Sequence, residues 1–128
     1  MKLASIDVGL KRIGIAICLT SDIVTPQAAI LRKNRNQAAR DVNIFLKEWE
    51  IEKLIVGFPS ASIDMQNRIN HFVSLLELKI PYEFCEENMS SIEAEDLIKG
   101  EIKYKRDGRI DSLAAKIILE RYLTKKIS

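Results

Sequence analysis

Three places in this chain put a carboxylate where packing gives it no reason to be. Asp7 closes the apolar run Leu3–Ile6, and Gly9, Lys11 and Arg12 follow it closely. Burial and β-propensity both disfavour an acid at the end of such a strand. The competing role is turn initiation, in which an Asp bonds its own backbone. Glu86 and Glu87 stand side by side after the run YEFC. Strand alternation puts Cys85 and Glu87 on one face and Phe84 and Glu86 on the other, so only one of the two acids can enter a shared site. The competing role is a polar entrance to a loop. Asp111 lies three, four and seven residues before Ala114, Ala115 and Ile118, which places it on or beside a buried helical stripe. An isolated carboxylate there costs several kcal/mol unless it is paired or coordinated. Asp is also a favoured N-cap, so a capping role stands level with a functional one.

Three carboxylates meeting in one crevice repel one another unless cations neutralise them. Hard oxygen donors with no His or Cys among them suit Mg²⁺ or Mn²⁺, which keep waters and accept phosphate oxygens as further ligands. Two such ions ~3.5–4 Å apart can activate an attacking water and stabilise the leaving oxygen of a phosphodiester. The turn with Lys11 and Arg12, and the stretch from Lys99 to Arg109 with Lys105 and Arg106, offer cations for a nucleic-acid backbone. Such contacts give affinity and salt dependence without base specificity, and a short basic loop can equally be merely solvated. His71 is the only histidine and falls off the apolar stripe of its helix, so a solvated position is expected of it.

The elements that must position these groups follow from periodicity. Residues 2–8 and 12–19 read as strands joined by a glycine turn. A third strand starts after Pro26 or lies at an edge, because Pro cannot donate to a ladder. Asn34 or Asn36 caps a helix whose stripe is Ala38, Val42, Phe45, Leu46 and Trp49, with Trp49 as a core anchor. KLIVGFP is a strand covered on both faces and stopped by Gly57 and Pro59. A second stripe, Ile69, Phe72, Val73 and Leu76, precedes the strand YEFCE. Ser90 to Glu93 fits a capping box for a helix reaching about Lys99. The last helix starts near Ile110. The chain is thus expected to be α/β: a mixed five-stranded sheet, antiparallel at the start and then parallel, with helices on both faces. In such sheets strand ends and helix starts at one edge converge on one crevice.

A length of 128 residues suits a single domain, residues 1–128, with its own core. No stretch of 18 apolar residues exists to span a membrane, and the N-terminal run is broken by Asp7 rather than built as a leader. A net charge of +2 is too small to diagnose a nucleic-acid partner. Cys18 and Cys85 lack metal-type spacing and are expected as buried thiols, in keeping with a reducing cytoplasm.

IDVGLKRIGIA, IVGFP, EENMSSIEAE and IDSLAAKIILERYL, in that order over nearly the whole chain, resemble the YqgF family. These are Holliday-junction-resolvase-like proteins of RNase H-like fold, assigned to nucleolytic processing of the 5′ end of pre-16S rRNA. The resemblance implies that Asp7, Glu87 and Asp111 are the catalytic, metal-holding acids, and that Asn88 stands where the family usually has Arg. It further implies a metal-dependent endonuclease using Mg²⁺ or Mn²⁺ on structured precursor rRNA. Lys11, Arg12, Lys105 and Arg106 would touch phosphates. A cytoplasmic monomer or homodimer is expected. The alternatives are a resolvase acting on branched DNA and a non-catalytic RNA- or protein-binding module. An Asp-x-Gly turn also occurs in sugar-kinase and actin-like ATPases, but those need two such domains.

Overall fold

The opening hairpin supplies the centre of a five-stranded sheet. The computed structural model describes residues 1–20, 23–86 and 109–127. Along them run β1 (Leu3–Val8), β2 (Arg12–Cys18), β3 (Thr25–Leu31), α1 (Arg35–Glu48), β4 (Lys53–Phe58), α2 (Ile63–Leu76), β5 (Tyr82–Glu86) and α3 (Arg109–Ile127). The strand order is β3-β2-β1-β4-β5. β2 is antiparallel to β1 and β3, whereas β1, β4 and β5 run parallel to their neighbours in that half. The mixed sheet expected from the sequence is the one observed. The helix expected between Ser90 and Lys99 lies outside the described residues.

Alternation along the central strands divides the core in two. Ile6, Val8, Ile13, Ile15, Leu54 and Val56 point to one face, where Val42 and Leu46 of α1 and Ile69, Phe72 and Leu76 of α2 cover them. Leu3, Ala16, Cys18 and Ile55 point to the other, against Ala115, Ile118, Leu119 and Tyr122 of α3. β1 and β4 are therefore covered on both sides, which explains their unalternating apolar sequences. β3 contains Pro26 and is an edge strand, where a missing N–H costs no ladder bond. Asn34 caps α1 in a full capping box with Gln37, and Ser62 caps α2. Cys18 and Cys85 are free and buried, as expected.

Two expectations are corrected. Trp49 is not a core anchor: α1 ends at Glu48, the chain reverses through Glu50 at φ 52°, and Trp49 is left 37% exposed beside Phe45. Gly57 does not stop β4, which runs on to Phe58; Gly57 is an interior strand residue paired with Cys85.

α3 is fastened at both ends. Near its start the Ser112 hydroxyl donates to the Gln27 carbonyl of β3 (2.6 Å), and the Ser5 hydroxyl of β1 donates to the Ala115 carbonyl (2.6 Å). Near its end the Tyr122 hydroxyl donates to Glu83 (2.9 Å) and accepts from Lys53 (2.9 Å), and Lys53 is ion-paired with Glu83. That pairing, first through Glu83 and then Tyr122, raises the Lys53 ammonium above its ordinary pKa. Among the described residues no helix is long and apolar enough to cross a membrane.

Candidate active site

Asp7 is the penultimate residue of β1 and shares a face with Leu3 and Ser5, the face under α3. Its cross-strand partner in β2 is Gly14. A Cβ on Gly14 would collide with the carbonyl group of Asp111 and stand 2.9 Å from the Ser112 amide nitrogen. The first turn of α3 thus rests backbone-to-backbone on β2. Opposed Cα atoms of an antiparallel pair lie about 4.5–5.5 Å apart, so the main chains of Asp7 and Asp111 come within about 10 Å of one another. Acids distant along the sequence are brought to one end of one sheet face.

The neighbourhood is cleared of side chains. On the far side of Asp7, β4 follows the Ile6–Val56 pair with Gly57, so the row across β2, β1 and β4 reads Gly14, Asp7, Gly57. The register between β2 and β3 shifts at the same level, where Ala28 and Ala29 together face Gly14. Bulges of this kind bend a strand and re-aim the groups beside them. The turn between β1 and β2 is tight: the Gly9 amide donates to the Arg12 carbonyl (3.0 Å), and a Cβ on Gly9 would lie 2.6 Å from that oxygen. Alternation from Gly14 puts Arg12 on the acids' face, while Lys11 is exposed on the turn.

Asp7 is only 9% exposed and Asp111 half-buried. Asp111 lies within the first turn of α3, so its place in the helix is interior to the cap. The positive end of the helix dipole there favours nearby negative charge by about 0.3–1 kcal/mol, less than the several kcal/mol that burying a carboxylate costs. Glu86 turns elsewhere: its carboxylate accepts from the Ser60 amide (3.2 Å), in the connection between β4 and α2. The other face of β5 belongs to Cys85, as alternation predicts. Burial raises the Cys85 thiol above its ordinary pKa, keeping it a neutral packing group. Glu87, Lys105 and Arg106 lie outside the described residues.

Among the described residues no group of three His, Cys, Asp or Glu side chains gathers as a metal cage. Asp7 and Asp111 offer only carboxylate oxygens, at the same end of one sheet face. That donor set fits a hard divalent cation held by one or two carboxylates with waters and phosphate oxygens completing its shell. Sequence reasoning found both acids but missed the groups that join them, Gly14, Ser5 and Ser112. The available signal was a glycine interrupting the β-branched run RIGIAI, since an interior strand glycine often marks a close backbone approach.

The family model described as "RuvX: Holliday junction resolvase" matches residues 1–125. A protein of Sulfurovum sp. named "Putative pre-16S rRNA nuclease" is 65% identical over 127 residues, covering 97% of this chain and 99% of that protein. One of the same name from Sulfurimonas denitrificans is 51% identical over 129 residues, covering 98% and 99%. Among solved structures, Fowlpox virus resolvase in complex with substrate Holliday junction DNA superposes with a TM-score of 0.61 at 17% identity, covering 100% of both chains. The sheet order and this superposition make the fold RNase H-like and resolvase-like.

Gly14→Ala tests the contact that unites the acids. The added methyl meets main chain that cannot swing aside, so the variant should lose about 1–3 kcal/mol or more in urea unfolding. Ser5→Ala should lose only about 1 kcal/mol.

Proposed function

Because this chain belongs to the RuvX family, we propose that it is an endonuclease that hydrolyses phosphodiester bonds toward the 5′ end of precursor 16S rRNA, in the cytoplasm. The observation that carries the proposal is the backbone contact between Gly14 and the start of α3, which sets Asp7 and Asp111 at the same end of the sheet. Asp7, Asp111 and, from the family pattern, Glu87 hold Mg²⁺ or Mn²⁺ through carboxylate oxygens. Such ions, when bound in a pair, supply water activation and stabilise the charge that develops on the leaving oxygen. The chain's own contribution is position. Asp7 is fixed by its place in β1 opposite Gly14 of β2, and Asp111 by a helix pinned at both ends. Lys11 and Arg12, on the turn that follows Asp7, hold the phosphates of the nucleic-acid backbone. Lys105 and Arg106 are assigned the same role.

The family description favours a second reading, cleavage of four-way DNA junctions by the same acids. Resolution needs two symmetric cuts and hence a two-fold pair of sites. Cleavage measured on a precursor 16S fragment and a four-way junction in competition separates the two readings by which one is consumed first.

Asp7→Asn keeps the shape and removes the charge. It should lower Mn²⁺-dependent cleavage of a precursor 16S fragment on the order of 100-fold or more. Cutting at the wild-type rate by the purified variant would overturn the mechanism. Asp111→Asn should behave differently with and without metal in a thermal melt. Without metal its Tm should equal or exceed that of the wild type, because like-charge repulsion is relieved. With Mn²⁺ at a hundred times its Kd only the wild type should gain, by about 2.7 kcal/mol of linked stability. A purely structural Asp111 would instead lose Tm equally in both buffers.

A further inference from the structure

On the sheet face opposite the acids, a cleft of about 650 Å³ opens between the β3–α1 connection and α2. We propose that this cleft binds the phosphates of an RNA strand away from the cleaved bond; the choice of RNA rests on the function proposed above. Its cations come from two segments. Arg32, Lys33 and Arg35 line it from the connection, His71 lines it from α2, and Arg68 lies one turn earlier on α2.

Arg32 is the fixed member. Its amide donates to the Lys11 carbonyl (2.9 Å), its guanidinium donates to the Gly9 carbonyl (2.8 Å), and the group lies 5.6 Å over the Phe72 ring. Burial, and then the charges of Arg35 and Arg68, hold its pKa below the ordinary arginine value. Among the described residues no carboxylate forms an ion pair with Arg32, Lys33, Arg35 or Arg68. Arg35 donates to Nε2 of His71 (3.0 Å); a guanidinium has no acceptor, so this ring nitrogen accepts and the histidine aims the arginine. Like charges are thus gathered and partly ordered with no ion-paired carboxylate among the described residues to offset their repulsion. Guanidinium groups suit phosphate because they can donate in parallel pairs.

The form of the cleft points to a strand rather than a lone anion. Lys33 and Arg35 are exposed along it, and apolar Leu10 and Leu75 line it together with the cations. Leu10, 60% exposed at the tip of the β1–β2 turn, offers apolar surface to a sugar or base. The anchor for Arg32 is Gly9, two residues past Asp7, and two residues span at most about 7 Å. A strand lying in the cleft therefore leads over the turn toward the acids.

The test is equilibrium binding of a labelled single-stranded RNA oligonucleotide in EDTA, followed against salt, so that cleavage plays no part. The Arg35→Gln, Arg68→Gln double variant spares Arg32, which packs on Phe72. It should bind roughly tenfold more weakly than wild type, and its salt slope should flatten by about 1.4, the amount for two lost phosphate contacts on a single strand. Arg40→Gln, an exposed α1 cation outside the cleft, should leave the slope near that of the wild type. Arg35→Lys with Arg68→Lys should restore most of the slope. A double variant indistinguishable from Arg40→Gln overturns the proposal. So does a stabilisation of the wild type by millimolar inorganic phosphate, lost in the double variant, with no change in the RNA slope; that result marks a small-anion site. If Asp7→Asn cuts like the wild type, the nuclease reading fails while the slope still decides the cleft.

Discussion

The structure depends on a place where a side chain is missing. α3 can lie against β2 only because Gly14 presents bare main chain to the carbonyl of Asp111. Helices usually ride about 10 Å above a sheet on a layer of side chains; here the helix start descends into the sheet surface. The small residues Ser5, Gly14, Ala16 and Gly57 on that face let it do so, and Ser5 and Ser112 convert the approach into hydrogen bonds with helix and strand carbonyls. At the other end of α3, larger groups, Tyr122, Lys53 and Glu83, lift and hold it. Its first turn is set by main-chain contact, which has less freedom than side-chain packing, so the position of Asp111 is tightly determined.

That arrangement carries an electrostatic cost. Like charges brought to one end of a sheet face repel, and removing them from water adds to that cost. A fold does not retain such a cost for packing, because apolar residues of similar volume would be no worse. The opposite face stores the complementary imbalance, with Arg32, Arg35 and Arg68 repelling one another. A net charge of +2 does not reveal either local cluster. Each cluster is a local excess of one sign of charge that a bound ion of the other sign would offset.

Much of this was legible in the sequence, for identifiable reasons. The hairpin, the edge strand with Pro26, the two-sided strand β4 and the cap at Asn34 follow from local rules that tertiary context did not override. Asp7 and Asp111 were visible because a carboxylate conflicts with an apolar pattern. Gly14 was less legible: a sequence shows that a side chain is absent but not what fills its place. Gly57 was misread for the same reason, as a stop instead of a strand interior. Trp49 obeyed the helical period, yet the helix ended one residue too soon for the period to matter. The basic cleft could not be read at all, because its members come from separate segments and their like charge is a fact about space.

The β1–β2 turn lies between the two faces and gives them a common geometry. Gly9 must lack a side chain for the turn to close on Arg12, and its carbonyl then faces Arg32 across to the other side of the sheet. Lys11 reaches solvent from the tip, and its carbonyl takes the amide of Arg32. Arg12 alternates back toward the acids. A cation is thus met on each side of the turn and at its crest. Lys11 stands at the crest, and the acid behind it along β1 is Asp7. There an electropositive path gives way to a buried acid beside a glycine row. Cations and acid are therefore neighbours along the chain, because a tight turn leaves only Val8 to Leu10 between Asp7 and Lys11.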